Sequence, residues 1–563
     1  MHKIIKDAVA SKRKIYFVSP HLDDAILSAG DLISYLGPRT DVTIINVFTS
    51  VTTERPTLSA EAFTRKCGYS NIADLYKERI REDADVITAT QAKRINLGFI
   101  DAMWRQFDSP VWYRRLLGKI LPEFTHLYPT YRFNIKERVI SPADEPMITK
   151  LVAVLNSHIQ SGSLVLCPLS LGNHVDHIIV RAACERLGVE LIYWTDYPYL
   201  LEVGEHELAE LPHPPHTFTF SHNKKSKQKL ISGYGSQQGV LFDGEVPVLA
   251  DERYFYNEIP DGRLPTVSIG IPAYNEDQNI KYLLGDILSQ SSSCYQLKEI
   301  IVLSDGSTDN TNKDVKAFEA RGVTLLAHSL RQGLATTEND LFSAASGDIC
   351  ILLQADIRLF NNNSLDLLVA KMSVDQADLV AGNLTPSTAS SWFGKITVIG
   401  ALWKHATFSL YHNGLSLFTC YGPIRAFSSR LYKQIKFRHS VGEDMYSYLY
   451  ARKYAYKYSF ASSAVATYHT PDNFKDHLAQ SLRFFRSTDP IRQMFPNRLM
   501  QSECQLPRSI LLETSLQFLW YSPFNFIGYL ITSSLISIIS IFSVSFGVNN
   551  TWGIATSSKQ VKV

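Results

Sequence analysis

The stretch KIYFVSPHLDDAILSAGDLISYL, Lys14 to Leu36, opens as an unbroken apolar run, turns at Pro20, and carries one histidine and two aspartates at the start of a predicted helix. A short apolar strand followed by an amphipathic stretch is the repeating unit of a parallel or mixed α/β sheet, whose ligands collect at the carboxyl ends of the strands. Residues 15–250 continue the pattern. IYFV, VTIINVF and SLVLCPL alternate with longer amphipathic stretches such as Leu75 to Thr90. Residues 223–265 are polar and broken by glycine and proline (SGYGSQQG, IPDGRLP), and after Thr266 the alternation restarts with VSIGI, EIIVLSD, VTLLAH and DICILLQAD. The reading is two α/β domains, at 1–250 and 266–500, with a linker at 251–265 and an apolar C-terminal segment at 509–548. No internal repeat is visible.

Bulk properties agree. At 563 residues the chain is too long for one hydrophobic core, and 45% hydrophobic with 20% charged residues is ordinary for folded protein. A net charge of +2, with both signs scattered, gives no reason to expect nucleic acid as a partner. Seven widely spaced cysteines with no CxxC pair read as buried thiols in a reducing compartment. The polar, basic opening from Met1 to Lys14 has no signal-peptide core, so the enzyme body is expected in the cytoplasm. From Phe524 to Val548 no residue is charged, which is enough for the roughly 20 residues of a spanning helix. Ile510 to Tyr521, with Glu513 and Gln517, suits an interfacial helix. The membrane is therefore an expected partner, through a single C-terminal span.

His21 and Asp24 lie three apart, on one face of a helical turn, and are placed to grip one metal ion while Asp23 points elsewhere. SLVLCPLSLGNHVDHIIV repeats the arrangement, with His174, Asp176 and His177 after a second apolar strand. Two histidines and a carboxylate with an open fourth position suit catalytic Zn²⁺ and amide hydrolysis. Taken singly, either motif reads equally well as a helix cap or a solvated loop.

Together, SPHLDD and NHVDH resemble the PIG-L/LmbE-like zinc-dependent de-N-acetylases, over about residues 12–245. The likeness takes in ERIREDADVIT with Arg79 and Glu82, LGFID with Asp101, and KLISGYGSQ. It implies a Rossmann-type domain in which His21, Asp24 and His177 hold the metal and Asp23 is the general base. It also implies that His174 stabilises the oxyanion and that Asp176 orients a histidine. Leu22 and Ala25 depart from the family's usual proline and glutamate, but neither is a ligand.

In the second domain TVSIGIPAYNEDQNI, EIIVLSDGSTDNT and SGDICILLQADI each end an apolar strand in an acidic turn. These resemble family 2 glycosyltransferases, inverting enzymes of the GT-A fold, over about residues 265–490. The resemblance makes Pro272, Tyr274, Asn275 and Glu276 the nucleotide-binding opening, Asp305 a base contact and Asp356 the ligand of Mg²⁺ or Mn²⁺. Gly442, Glu443 and Asp444 match the later xED motif, with Asp444 as general base. Gln480, Arg483 and Phe484 stand close to the QxxRW of processive synthases. Ser304 and Gln354 occupy positions where that family commonly has aspartates.

The combined expectation is a bifunctional, membrane-held enzyme. It would use a nucleotide-sugar donor, UDP-N-acetylglucosamine first among them, and a lipid-linked or glycan acceptor. The alternative is that only the deacetylase is active and the transferase-like domain binds a sugar nucleotide or glycan.

Overall fold

The computed structural model describes residues 2–52, 55–136, 140–201, 216–242, 249–256, 264–290, 292, 294–360, 362–438 and 442–545. The chain forms two compact units, Met1–Ile259 and Pro260–Val563.

The first unit is built on seven strands: β1 (Ile15–Ser19), β2 (Val42–Ser50), β3 (Lys93–Ile100), β4 (Leu164–Pro168), β5 (Glu190–Trp194), β6 (His216–Phe220) and β7 (Glu252–Tyr256). Their order is β3-β2-β1-β4-β5-β7-β6, with β1 to β5 parallel and β7 antiparallel to both of its neighbours. β1 and β4 are buried along their whole length, because helices cover both faces of a parallel sheet. Two core clusters result. One centres on Phe17, Ile26, Ile33 and Trp194, the other on Val18, Ile45, Val165 and Tyr193. Since β1 pairs with β2 on one side and β4 on the other, the strand order reverses there and opens a crevice above their carboxyl ends.

The strand β7 corrects the expected linker, which was to begin at residue 251. Glu252, within the stretch taken as polar, is only 4% exposed. It accepts backbone N–H bonds from Asp31 (2.8 Å) and Leu32 (3.0 Å) and the Tyr254 hydroxyl (2.7 Å), and it pairs with Lys227 at 2.7 Å. A buried carboxylate so fully bonded costs little, and the strand follows from its aromatic face. Residues 257–263 of the expected linker lie outside the described residues.

The second unit has β8 (Thr266–Ala273), β9 (Gln296–Asp305), β10 (Val323–His328), β11 (Ile349–Leu353), β12 (Ile357–Leu359), β13 (Leu379–Pro386), β14 (Ile424–Ser428) and β15 (Tyr458–Tyr468). The order is β10-β9-β8-β11-β14-β13-β15-β12; the first four are parallel, and β14 runs antiparallel to both β11 and β13. The crevice between β8 and β11 is again where the strand order reverses.

Near its end the unit carries helices Arg508–Tyr521 and Pro523–Ser545. Both pack on helix Trp392–Leu410, through Ile396, Ile399, Phe518, Phe526 and Tyr529. Pro523–Ser540 is long and apolar enough to cross a membrane, with mean hydropathy 1.4 and 22% of its residues buried. Residues 546–548 of the expected segment lie outside the described residues.

Candidate functional sites

The first site sits above the carboxyl ends of β1 and β4. Asp24 is its centre: its Oδ2 accepts the His21 backbone N–H (2.9 Å) and lies 3.0 Å from His21 Nδ1 and 3.3 Å from His177 Nε2. Each imidazole has its other nitrogen against a second carboxylate. His21 Nε2 is 3.2 Å from Asp176 Oδ2, and His177 Nδ1 is 2.7 Å from Asp196 Oδ1. Carboxylates behind two histidines fix their tautomers and aim the remaining lone pairs inward. All of these side chains are buried.

Electrostatics follow from that packing. Burial opposes the ionised form of Asp24, but His177 and His21 outweigh it and hold the carboxyl well below its usual range. Burial also opposes charge on His177, yet Asp24 and Asp196 lift it to about 9. His21 is raised well above its ordinary value by Asp176 and Asp24 against the same burial. His174 goes the other way: burial and then His21 hold it well below, so its ring is neutral. Because His174 Nδ1 accepts the Asp176 backbone N–H at 3.3 Å, the proton sits on Nε2. Asp23 is raised, chiefly by burial, with Arg79 at 3.5 Å opposing.

A metal fits here on this structure's own terms. His21, Asp24 and His177 offer donor atoms within 4.8 Å of one another, and His21, His174 and Asp176 form a second such group. His177 Nε2 is buried, faces Asp24 and has no hydrogen-bond partner. Two imidazole nitrogens and one carboxylate oxygen suit Zn²⁺.

Other expected residues fall into place around this centre. Asp101 accepts the Tyr76 hydroxyl at 2.7 Å and lies 3.6 Å from His21. Arg79 is buried, and its Nε has no partner. Glu82 caps Ser236 through both its N–H (2.8 Å) and its hydroxyl (2.7 Å), a structural tie to the KLISGYGSQ segment. Sequence reasoning missed Asp196 and the Arg105–Asp144 pair (2.6 Å) that backs Asp176, to which Arg105 also bonds. The signal for Asp196 was available, since it stands two residues past β5, where ligand-supporting groups collect.

In the second unit, the loops after β8 and β9 are stapled together. Asn275, with φ +52°, accepts the Thr308 N–H at 2.8 Å, and the Glu276 N–H bonds the Thr311 hydroxyl at 2.7 Å. The Tyr274 ring lies under the Arg331 guanidinium at 4.0 Å, and Pro272 is the penultimate residue of β8, which is buried throughout. Asp305 is committed to its own fold: its oxygens accept N–H bonds from Gln332 (2.7 Å) and Gly333 (2.8 Å) and lie 2.9 Å from His328. Ser304, in place of an acid, bonds the Ser307 hydroxyl at 2.9 Å.

Gln354 and Asp356 follow β11 at the mouth of the crevice. A Cβ added at Gly422 would meet the Asp444 Cβ at 3.5 Å and the Gln354 Nε2 at 3.6 Å, so these two side chains converge on Gly422. Asp444 opens helix Glu443–Lys453, and its carboxylate accepts the N–H of Met445 at 2.7 Å. Beneath it lies a fully buried ion pair that the sequence did not reveal, Arg425–Glu338 at 2.7 Å. Arg425 also donates to the carbonyls of Gly422 (3.0 Å) and Glu443 (3.1 Å) and to Ser447 Oγ (2.7 Å). Burial raises Glu338 to about 7 and Glu443 to about 8, with neighbouring acids adding to both. Asp444 is raised as well, chiefly by burial. Gln480, Arg483 and Phe484 fall on helix Phe474–Met494, where Phe484 is 57% exposed.

Comparison with known proteins agrees with this division. Residues 16–188 match the family model for GlcNAc-PI de-N-acetylase (PIG-L), and residues 268–435 match glycosyl transferase family 2. Each of the two units thus holds the residues matched by one of these family models. A similar curated protein is UDP-Glc:alpha-D-GlcNAc-diphosphoundecaprenol beta-1,3-glucosyltransferase WfgD of Escherichia coli, 29% identical over 129 residues, 23% of this chain and 49% of that protein. Glycosyltransferase AglE of Haloferax volcanii is 32% identical over 125 residues, 22% of this chain and 40% of that protein. The chain thus spans less than half the length of either relative. Among solved structures, the zinc inhibited form of teicoplanin deacetylase Orf2 is 20% identical, covers 43% of this chain and 97% of its own, and has a TM-score of 0.34.

Proposed function

From a chain that joins a de-N-acetylase domain to a family 2 glycosyltransferase domain, we propose a bifunctional enzyme of glycolipid or polysaccharide biosynthesis. One half transfers an N-acetylhexosamine from UDP-N-acetylglucosamine to a membrane-associated acceptor. The other removes the N-acetyl group from an amino sugar. The observation that carries the reading is the convergence of His21, Asp24 and His177 on one point, with Asp23 and His174 beside them.

For hydrolysis, His21, Asp24 and His177 would hold Zn²⁺. Such an ion supplies Lewis acidity toward an amide carbonyl and makes water a stronger acid. Asp23, its pKa raised, takes the proton of the attacking water and returns it to the amine nitrogen as the C–N bond breaks. The Nε2–H of neutral His174 donates to the developing oxyanion, and Asp176 holds His21 in register. Arg79, with its unpartnered Nε, is available to a substrate hydroxyl. The products are acetate and a free amine.

For transfer, Asp444 takes the acceptor's hydroxyl proton. The freed oxygen attacks the anomeric carbon in line, and the bond to the diphosphate breaks with inversion. Asp356 would hold Mg²⁺ or Mn²⁺, which neutralises the departing diphosphate. Pro272, Tyr274, Asn275, Glu276 and Asp305 shape the nucleotide crevice, and Gln480, Arg483 and Phe484 border it. The domains are assigned as 1–250 extended through β7, then 266–500, with 509–548 holding the enzyme at the membrane and both catalytic domains on the cytoplasmic side, where nucleotide sugars are made. Tethering raises the concentration of one site's product at the other to the order of millimolar.

A second reading keeps the transferase-like domain as a binding module. Gln354 in place of a carboxylate and the internal bonding of Asp305 favour it. One experiment tests both. Detergent-purified protein is incubated with UDP-N-acetylglucosamine, membrane lipid extract, Zn²⁺ and Mn²⁺, and the products are read by mass spectrometry. Wild type should yield a hexosamine-bearing lipid, Asp24→Ala the N-acetylated form, and Asp444→Ala none. Sugar transfer by no form, with UDP-sugar hydrolysis also absent, would leave the binding module standing.

A further inference from the structure

Between Asp101, beside His21, and Asp144, which backs Asp176 through Arg105, the first unit carries a long excursion that leaves the site and returns to it. At its outer end is helix Trp112–Gly118 and the turn that follows. The polarity of this tip is inverted. Trp112 is 73% exposed, Leu116 57% and Ile120 77%, with Val111, Leu117 and Leu121 also exposed, while Arg114 is 3% exposed. Arg114 is turned inward, donating to the Phe124 carbonyl at 3.0 Å and lying over the Phe107 ring at 4.4 Å. Arg55 clamps the tip from outside, donating to the carbonyls of Gly118 (3.1 Å) and Lys119 (2.8 Å). The apolar side chains are thus held outward by a polar framework. A contiguous exposed patch of this kind marks an interaction surface.

The surrounding charge selects the partner. Arg55, Arg115 and Lys119 are exposed around the patch, against exposed Asp108 and half-buried Glu123, whose Oε1 accepts the Leu58 N–H at 2.9 Å. Exposed tryptophan, leucine and isoleucine within a ring of cations match the boundary between acyl chains and anionic headgroups. The same chain carries a helix long and apolar enough to cross a bilayer, in keeping with the membrane placement proposed above.

We propose that the tip formed by Val111, Trp112, Leu116, Leu117, Ile120 and Leu121 inserts into the interface of an anionic phospholipid bilayer. It makes the excursion a membrane-facing rim of the amide-hydrolysing site. This last step rests on the de-N-acetylase reading; the docking itself does not.

The test uses the full chain in phosphatidylcholine vesicles, with and without phosphatidylglycerol. Nitroxide labels at Leu116→Cys and Ile120→Cys are read by paramagnetic resonance, with labelled wild type as the background. Insertion gives high collision with oxygen and low collision with a water-soluble nickel chelate, more strongly with phosphatidylglycerol. Low collision with both means protein covers the tip, whether a second copy or the other unit; high collision with both means water does. Either overturns the proposal.

The second arm compares wild type with the triple variant Trp112→Ser, Leu116→Ser, Ile120→Ser. KM for an N-acetylglucosaminyl lipid in vesicles should rise at least about tenfold, while a water-soluble N-acetylglucosaminide is hydrolysed unchanged. Equal loss on both substrates would make the tip a structural element. If wild type hydrolyses neither, the de-N-acetylase reading fails and the labels alone decide the docking.

Discussion

Around the first site Asp23, Asp24, Asp176 and Asp196 each have a cation against them, whereas in the second three acids converge on one arginine. Asp23 faces Arg79, Asp176 faces Arg105, and Asp24 and Asp196 share His21 and His177. Among the described residues, Glu338, Glu443 and Asp444 have Arg425 alone as the cation beside them. The two histidines hold Asp24 well below its usual range, whereas burial lifts Glu338 to about 7 and Glu443 to about 8. In the first site the carboxylate between the two histidines is therefore ionised, as a cation requires. The second changes its charge within the physiological range.

The largest expected effect separates the two sites outright. His177→Ala should lower amide hydrolysis at least about a thousandfold and remove bound zinc, read by elemental analysis, while sugar transfer stays within about twofold. Loss of both activities would break the comparison, because the sites would not be independent.

A milder cut tests whether matching carboxylates matter. Asp196→Asn leaves every donor atom of the first group in place but weakens the hold on His177 Nδ1, so zinc affinity in a chelator competition should fall about 10–100-fold. Unchanged affinity would make Asp196 a bystander.

Smaller again is a gain. Gln354→Asp adds a carboxylate where the second site lacks one, and should lower the Mn²⁺ concentration for half-maximal transfer by about tenfold. No change would mean that Gln354 lies outside the metal's reach.

The subtlest is a slope. Glu443 has a folded pKa near 8, above the ordinary 4.5, so the folded state keeps a proton that the unfolded state has released. Stability from this group is present at low pH and is lost as pH rises through about 8. Glu443→Gln should flatten the fall in the second unit's melting temperature between about pH 5 and pH 9. An unaltered slope would remove the charge excess as an explanation.

Much of this architecture was legible because a parallel strand covered on both faces must be apolar throughout. IYFV, LVLCP, VSIGI and ICILL all became fully buried strands, and the motifs at their ends were found together in space. What escaped notice were groups whose partners lie far along the chain. Glu338 and Arg425 are 87 residues apart, and neither charge advertises a burial that only the other makes tolerable. Glu252 misled for the same reason, being neutralised by Lys227 and by N–H groups of the helix Asp24–Leu36. Helix Trp392–Leu410 gave no sign that its apolar face would receive both C-terminal helices.

That β7 stands inside its sheet, between β5 and β6, has a consequence for biosynthesis. The strand is the last of its unit to leave the ribosome, so β6 has no neighbour and the Asp31 amide no acceptor until residue 256 has emerged. The N-terminal half closes as one late event, and the second half begins to emerge onto a finished first domain. While β7 is still inside the ribosome β5 stands as an open sheet edge, and once Tyr256 has emerged that edge is closed.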